Sequence, residues 1–143
     1  MTTYPYIIAS LPDIALNFEQ GGFDYDRTRD DIFAQLGEGD RRMVEWLEFG
    51  FDPQKVNSHF YAACRKCRNR FIHDFFGFDL LVRTEKVAFL HGEKTEAEFE
   101  QKQQLLKTFA IANVIEREKA LDMMLWEKAG EIVTFDAFNL DVI

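Results

Sequence analysis

The chain has 143 residues, of which 25 are acidic and 17 are basic, giving a formal net charge of −8. This length predicts a single domain, residues 1–143, that is long enough to bury a core of its own. The acidic excess argues against nonspecific binding to nucleic acid. There are 15 Phe against 4 Tyr and 2 Trp, and because phenylalanine has no polar group, most of these rings are predicted to lie in a core or an interface.

The first part of the chain predicts short helices. The apolar segment Tyr4–Leu11 is followed by a proline, and since no partner strand is evident elsewhere, a short helix is favoured. Asp24 or Asp26 can cap a helix that runs to Leu36.

Two further aspartates mark helix starts in the next segment. Asp40 is predicted to cap a helix that ends at Gly50. Asp52 and Pro53 then indicate the start of the central helix, because proline is favoured in a first helical turn.

The run from Phe60 to Phe89 is the most apolar part of the chain and predicts one long central helix. Gly77 lies inside it and costs about 1 kcal/mol relative to alanine, so a kink, a close helix contact or a break is expected there. The apolar residues recur every three or four positions and form one stripe, which comprises Phe60, Cys64, Cys67, Phe71, Phe75, Phe78, Val82 and Phe89, widened by Tyr61, Ile72, Phe76, Leu80 and Leu81.

Two capping boxes are evident beyond the central run. Thr95 with Glu98 is predicted to open a helix over residues 96–110, and Asn113 with Glu116 a helix that ends near Gly130. The sequence therefore predicts an all-α, single-domain helical bundle around an aromatic central helix.

Positive charge is concentrated in the middle of this acidic chain. Residues 51–92 carry 7 basic and 4 acidic side chains, whereas residues 1–50 carry 4 and 10, and residues 93–143 carry 6 and 11. Internal pairing with the acidic flanks is favoured, and a partner-binding patch is the alternative. The four residues of this basic run are Arg65, Lys66, Arg68 and Arg70.

Cys64 and Cys67 form a C-x-x-C pair with His59 and His73 nearby. One continuous helix would spread positions 59–73 over roughly 21 Å, so both histidines could not reach one metal ion. Core positions are favoured for the cysteines, and redox and metal roles are alternatives.

No residue pattern points to catalysis. The adjacent His73 and Asp74 are not placed with a nucleophile that they could activate, and phosphate-binding and zinc-protease motifs are absent from the sequence. A noncatalytic protein without cofactor or metal is predicted. Asp79 and Arg83 are spaced four apart, acid first, as in a stabilising helical ion pair.

Three segments, in this order, resemble a bacterial family of unknown function that is encoded among the subunits of V-type ATP synthases. The first is Tyr6–Pro12 (YIIASLP), and the second is Phe71–Arg83 (FIHDFFGFDLLVR). The third is Glu116–Asp122 (EREKALD), continuing to Trp126 and followed by Phe135–Asp141.

The resemblance implies an all-helical relative of the C or d subunit, which sits on the membrane ring and receives the central stalk. The implied role is a noncatalytic accessory or connecting component, cytoplasmic and peripheral at the inner membrane face, with V-type ATP synthase subunits as protein partners. Asp79 and Arg83 match a family Asp-x-x-x-Arg pattern and would act structurally. The family continues past Asp141 into a further helix, so an early stop is expected here.

A second functional hypothesis does not depend on the resemblance. It is a free-standing helical module with a protein-binding or regulatory role that uses the basic face Arg65–Arg70.

Overall fold

The computed structural model describes residues 3–12, 24–133 and 140–143. These residues form helices and connecting turns, without any strand among them, which confirms the all-α prediction. The elements are α1 (Pro5–Ser10), α2 (Tyr25–Gln35), α3 (Glu38–Gly50), α4 (Ser58–Lys66), α5 (Arg70–Leu90), α6 (Lys102–Phe109), α7 (Val114–Ile132) and a 3-10 turn at Leu140–Val142.

The predicted continuous central helix is wrong, because the chain breaks between α4 and α5. Cys67 has an extended backbone (φ −70°, ψ 137°), and the Asn69 side chain accepts a hydrogen bond from the Ile72 backbone amide at 2.9 Å. Asn69 is therefore an N-cap that starts a new helix. The break lies eight residues before Gly77, which sits inside α5 without interrupting it.

The break allows α4 to fold back against α5. Phe60 and Phe76 meet edge to face with ring centroids 5.0 Å apart. Tyr61 lies 18 positions before Asp79, yet its hydroxyl donates to the Asp79 carboxylate at 2.5 Å. In one straight helix those two residues would be roughly 27 Å apart, so this pairing exists only because the chain turns at Cys67.

Two of the predicted helix starts are also wrong. Asp52 begins a turn that leads to α4, which starts at Ser58 with Asn57 as its N-cap. Thr95 does not open a helix, because residues 93–99 are non-helical and α6 begins only at Lys102.

Several other predicted helix starts and ends agree with the structure, whereas the cap predicted at Asp40 does not. Asp24 caps α2 by accepting from the Arg27 amide, and Asn113 caps α7 by accepting from the Glu116 amide. The helix predicted over Tyr4–Leu11 is α1. Asp40 does not cap α3, which begins after Gly37, and it accepts instead from the Tyr4 hydroxyl.

The core consists of two main clusters that share α5. The predicted aromatic stripe supplies most of them, which confirms that part of the sequence analysis. The first cluster is Phe60, Tyr61, Cys64, Ile72, Phe75, Phe76 and Ile132, and the second is Phe78, Val82, Leu105, Phe109, Leu121 and Met124.

A smaller third cluster attaches the N-terminal helix. Tyr4 and Ile7 of the α1 region pack against Leu36 after α2, with Leu140 and Ile143 near the C-terminus beside them. The first and last described segments of the chain therefore lie together on the same side of the bundle.

Candidate functional site

Asp79 and Arg83 form the ion pair that their spacing predicted. The Arg83 Nε atom lies 3.1 Å from Asp79 Oδ2, and the Asp79 side chain is buried whereas that of Arg83 is half exposed. Tyr61 donates to the same carboxylate from α4. Asp79 is therefore held by one partner on its own helix and one on the neighbouring helix, an arrangement that fixes α4 against α5.

The environment of Tyr61 disfavours its ionised form. Burial raises the pKa of Tyr61, and the hydrogen bond to Asp79 and the charge of that carboxylate raise it further. Tyr61 is thus a proton donor to Asp79 throughout the physiological pH range, and the pair suits a structural role.

The two cysteines differ in exposure, although only three positions separate them. Cys64 is buried in the first core cluster, and desolvation, reinforced by neighbouring Cys67, raises its pKa to about 11. A protonated, buried thiol is a poor nucleophile. Cys67 is half buried with its sulfur 3.9 Å from that of Met43, and the described residues contain no His, Cys, Asp or Glu group suited to hold a metal ion.

The four residues of the basic run lie at the junction of α4 and α5, and all four are exposed. Arg65 and Lys66 end α4, Arg68 lies in the connection, and Arg70 opens α5 and contacts Asp74 at 3.3 Å. This surface is called the basic edge below.

A charged cleft of about 590 Å³ lies between α5 and α7. Asp74 accepts there from both Arg70 and His73, the latter with Nδ1 at 2.8 Å from Asp74 Oδ1. On α7, Lys128 lies 3.6 Å from Glu131. The charged side chains that line this cleft are therefore paired with one another.

A second cavity, of about 530 Å³, is an apolar groove along the side of the bundle where the chain ends meet. Charged and polar side chains on its walls pair with one another, Arg29 with Glu48 at 2.8 Å and Asn69 with Asp141 at 3.0 Å. Residues 13–23 and 134–139, which adjoin the groove in sequence, lie outside the described residues, as does the predicted cap Asn139. The walls include Leu11, Pro12, Ile32, Phe33, Phe71, Ile72, Trp126, Val133, Leu140 and Asp141.

A buried polar cluster that was not predicted from the sequence fixes the connection between α5 and α6. Glu85, only 2% exposed, accepts a hydrogen bond from the Thr95 hydroxyl. The Lys102 ammonium donates to the backbone carbonyls of Thr95, at 2.9 Å, and Ala97. In the sequence, the signal for this cluster was an acidic residue, Glu85, among the mostly apolar residues of α5. Its partners could not be predicted, because they are set by the path of the chain.

Fold and surface together define a small helical protein whose described buried charged side chains form hydrogen bonds with neighbouring side chains or with backbone carbonyls. Comparison of the chain with protein-family models, with curated proteins and with solved structures finds no match. Among the described helices, none is both long and apolar enough to cross a bilayer.

Proposed function

We propose that this protein is a noncatalytic accessory or stalk-connecting component of a bacterial V-type ATP synthase. The proposal starts from the resemblance of three segments of the sequence to the family encoded with those complexes. Its partners would be protein subunits of the same complex.

One geometric observation carries the proposal beyond the sequence. The three resembling segments are far apart in the chain, but described residues of all three line the apolar groove. Leu11 and Pro12 come from the first, Phe71 and Ile72 from the second, and Trp126 from the third. If the three segments contribute to binding the same partner, they must lie on one surface, as these residues do.

The buried polar groups support a structural role. Asp79 is held by Tyr61 and Arg83, and Lys102 by two backbone carbonyls. Because these groups form hydrogen bonds within the fold, they stabilise a rigid helical body. A connecting subunit requires such rigidity.

The experiment that tests the proposal is purification of the rotary ATP synthase through a tag on this chain in the native organism. Under mild conditions we expect the synthase subunits to co-purify in a fixed ratio, measured by quantitative mass spectrometry. Absence of those subunits, with this chain recovered folded, would contradict the proposal.

A matched pair of variants on α7 tests the groove. Trp126 is 44% exposed on the groove wall, whereas Met123 is 37% exposed on the same helix away from it. We expect Trp126→Glu to lower recovery of the subunits at least several-fold and Met123→Glu to leave it unchanged. Equal recovery with both variants would exclude the groove as the contact surface.

A further inference from the structure

We propose that the basic edge is a docking site for an acidic polypeptide segment, one that presents several carboxylates to Arg65, Lys66 and Arg68. This inference goes beyond the proposed function, because it concerns a different surface and holds whichever complex the chain belongs to.

Arg65, Lys66 and Arg68 place three positive charges close together on the surface. They lie within four consecutive positions and are exposed, and none forms an ion pair with another described residue. A chain with eight more acidic than basic groups has ample carboxylates for such pairing. Three adjacent like charges repel one another, so a surface that keeps them together gains from an external anion.

The helix that begins beside these side chains adds to the positive charge of the edge. The 21-residue helix α5 has no acidic residue in its first turn, although its amino end carries partial positive charge. Arg68 and Arg70 flank the cap residue Asn69 and add to that positive charge. Two carboxylates do approach the edge: Asp74, which contacts Arg70 and His73, and Asp141, which accepts from Asn69 at 3.0 Å. Neither contacts Arg65, Lys66 or Arg68.

The hydrogen-bonding geometry of arginine indicates the chemical class of the partner. Arginine presents several donors in a planar fork that matches a carboxylate, so short acidic segments bind such clusters well. Nucleic acid and anionic membranes are extended polyanions. They would also lie near the acidic remainder of the protein, which repels them. Charges act over about 8 Å at physiological salt, so a narrow acidic segment meets the edge without facing that remainder. The class favoured is therefore a polypeptide with clustered Glu or Asp.

The test compares three labelled probes on the full chain by fluorescence anisotropy or co-sedimentation. They are a short glutamate-rich helical peptide, an oligothymidine of matched charge, and vesicles containing phosphatidylserine. We expect the peptide to bind most tightly and to weaken as salt is raised, because the contacts are ionic.

Two triple variants with the same net charge provide the control. Arg65→Glu/Lys66→Glu/Arg68→Glu reverses the edge, and Arg27→Glu/Lys94→Glu/Lys107→Glu reverses three exposed cations elsewhere. We expect the edge variant to bind the peptide at least about tenfold more weakly than the wild type. In the control variant, affinity should fall by less than about a third of that factor. Circular dichroism checks that each variant is folded. If the charge-reversed edge variant is unfolded, the binding measurement uses glutamine replacements at the same three positions instead.

The inference is overturned if the wild-type chain does not bind the peptide, or if both triple variants weaken binding equally. Tighter binding of the oligothymidine or the vesicles than of the peptide overturns the assignment of the partner as a polypeptide.

Discussion

Gly50 and Gly77 are two helical glycines with opposite surroundings. A methyl group at Gly50, the last residue of α3, would overlap the Phe76 ring and lie 2.8 Å from the Phe60 ring. A methyl group at Gly77 would meet no atom within 4 Å beyond its own helix. Gly50 is thus required by the contact of α3 with α4 and α5, while the close helix contact expected at Gly77 is not found.

Alanine at the two glycines should change stability in opposite directions. We expect Gly50→Ala to lower the free energy of unfolding by about 1–3 kcal/mol through overpacking. Gly77→Ala should raise it by about 0.5–1 kcal/mol, because alanine loses less backbone entropy in a helix. Urea unfolding followed by circular dichroism measures both. A destabilised Gly77→Ala protein would mean that this glycine serves a contact outside the described residues.

Tyr61 is expected to make the folded protein less stable at alkaline pH. Its pKa is raised in the folded state, so the folded protein holds this proton more tightly than the unfolded chain. That stabilisation is complete below the ordinary tyrosine pKa of about 10 and is lost as the pH rises above it. Burial and acidic neighbours also raise the pKa values of Tyr4 and Tyr25. Some loss of stability at alkaline pH is therefore expected even in a protein that lacks the Tyr61 hydroxyl.

We expect Tyr61→Phe to lower the free energy of unfolding near neutral pH by about 1.5–3 kcal/mol, since Asp79 loses a hydrogen bond. The variant should then lose less stability than the wild type between about pH 9 and 11. Melting temperatures across this range test both effects, with Tyr25→Phe as the comparison. Parallel pH profiles for wild type and Tyr61→Phe would show that Tyr61 titrates normally.

At the scale of elements, the connection from His91 to Gln101 keeps a defined path without regular structure. Lys102 holds the carbonyls of Thr95 and Ala97, and Thr95 in turn donates to Glu85. A buried lysine that donates to two backbone carbonyls thus replaces hydrogen bonds that a helix would have supplied.

Removing the lysine charge should loosen this connection. We expect Lys102→Met to lower the free energy of unfolding by about 1–3 kcal/mol, because the buried carbonyls of Thr95 and Ala97 lose their hydrogen-bond donor. Amide hydrogen exchange should rise over residues 93–101. Lys107→Met, an exposed lysine on the same helix, should change neither. Unchanged exchange in the Lys102 variant would show that the connection is held by other contacts.

At the scale of the whole molecule, α5 joins the two main core clusters. Phe76 belongs to the first and Leu105 to the second, while Leu125 packs against both. Because one helix supplies both clusters, neither can lose its packing without exposing the other.

Damage to either cluster should therefore weaken the entire fold. We expect Phe76→Ala to cost about 3–5 kcal/mol and Leu105→Ala about 2–5 kcal/mol. Each variant should still unfold in a single transition, with circular dichroism and tryptophan fluorescence coinciding. Separate transitions in either variant would show that the clusters unfold independently.

Sequence alone predicted the helical class, most core residues, the Asp79–Arg83 pair, a cap at Asp24 or Asp26 and a cap at Asn113. These features depend on residues three or four positions apart, and helix geometry converts such spacing directly into contact.

Only the tertiary structure decided the break at Cys67, the return of α4 onto α5, and the Glu85–Thr95–Lys102 cluster. It also decided that Arg65, Lys66 and Arg68 lack ion pairs with other described residues. The physical reason is that an apolar stripe looks the same in one helix as in two consecutive helices. Which alternative forms depends on contacts such as Tyr61 with Asp79, made by residues distant in sequence and stable only once the chain has turned.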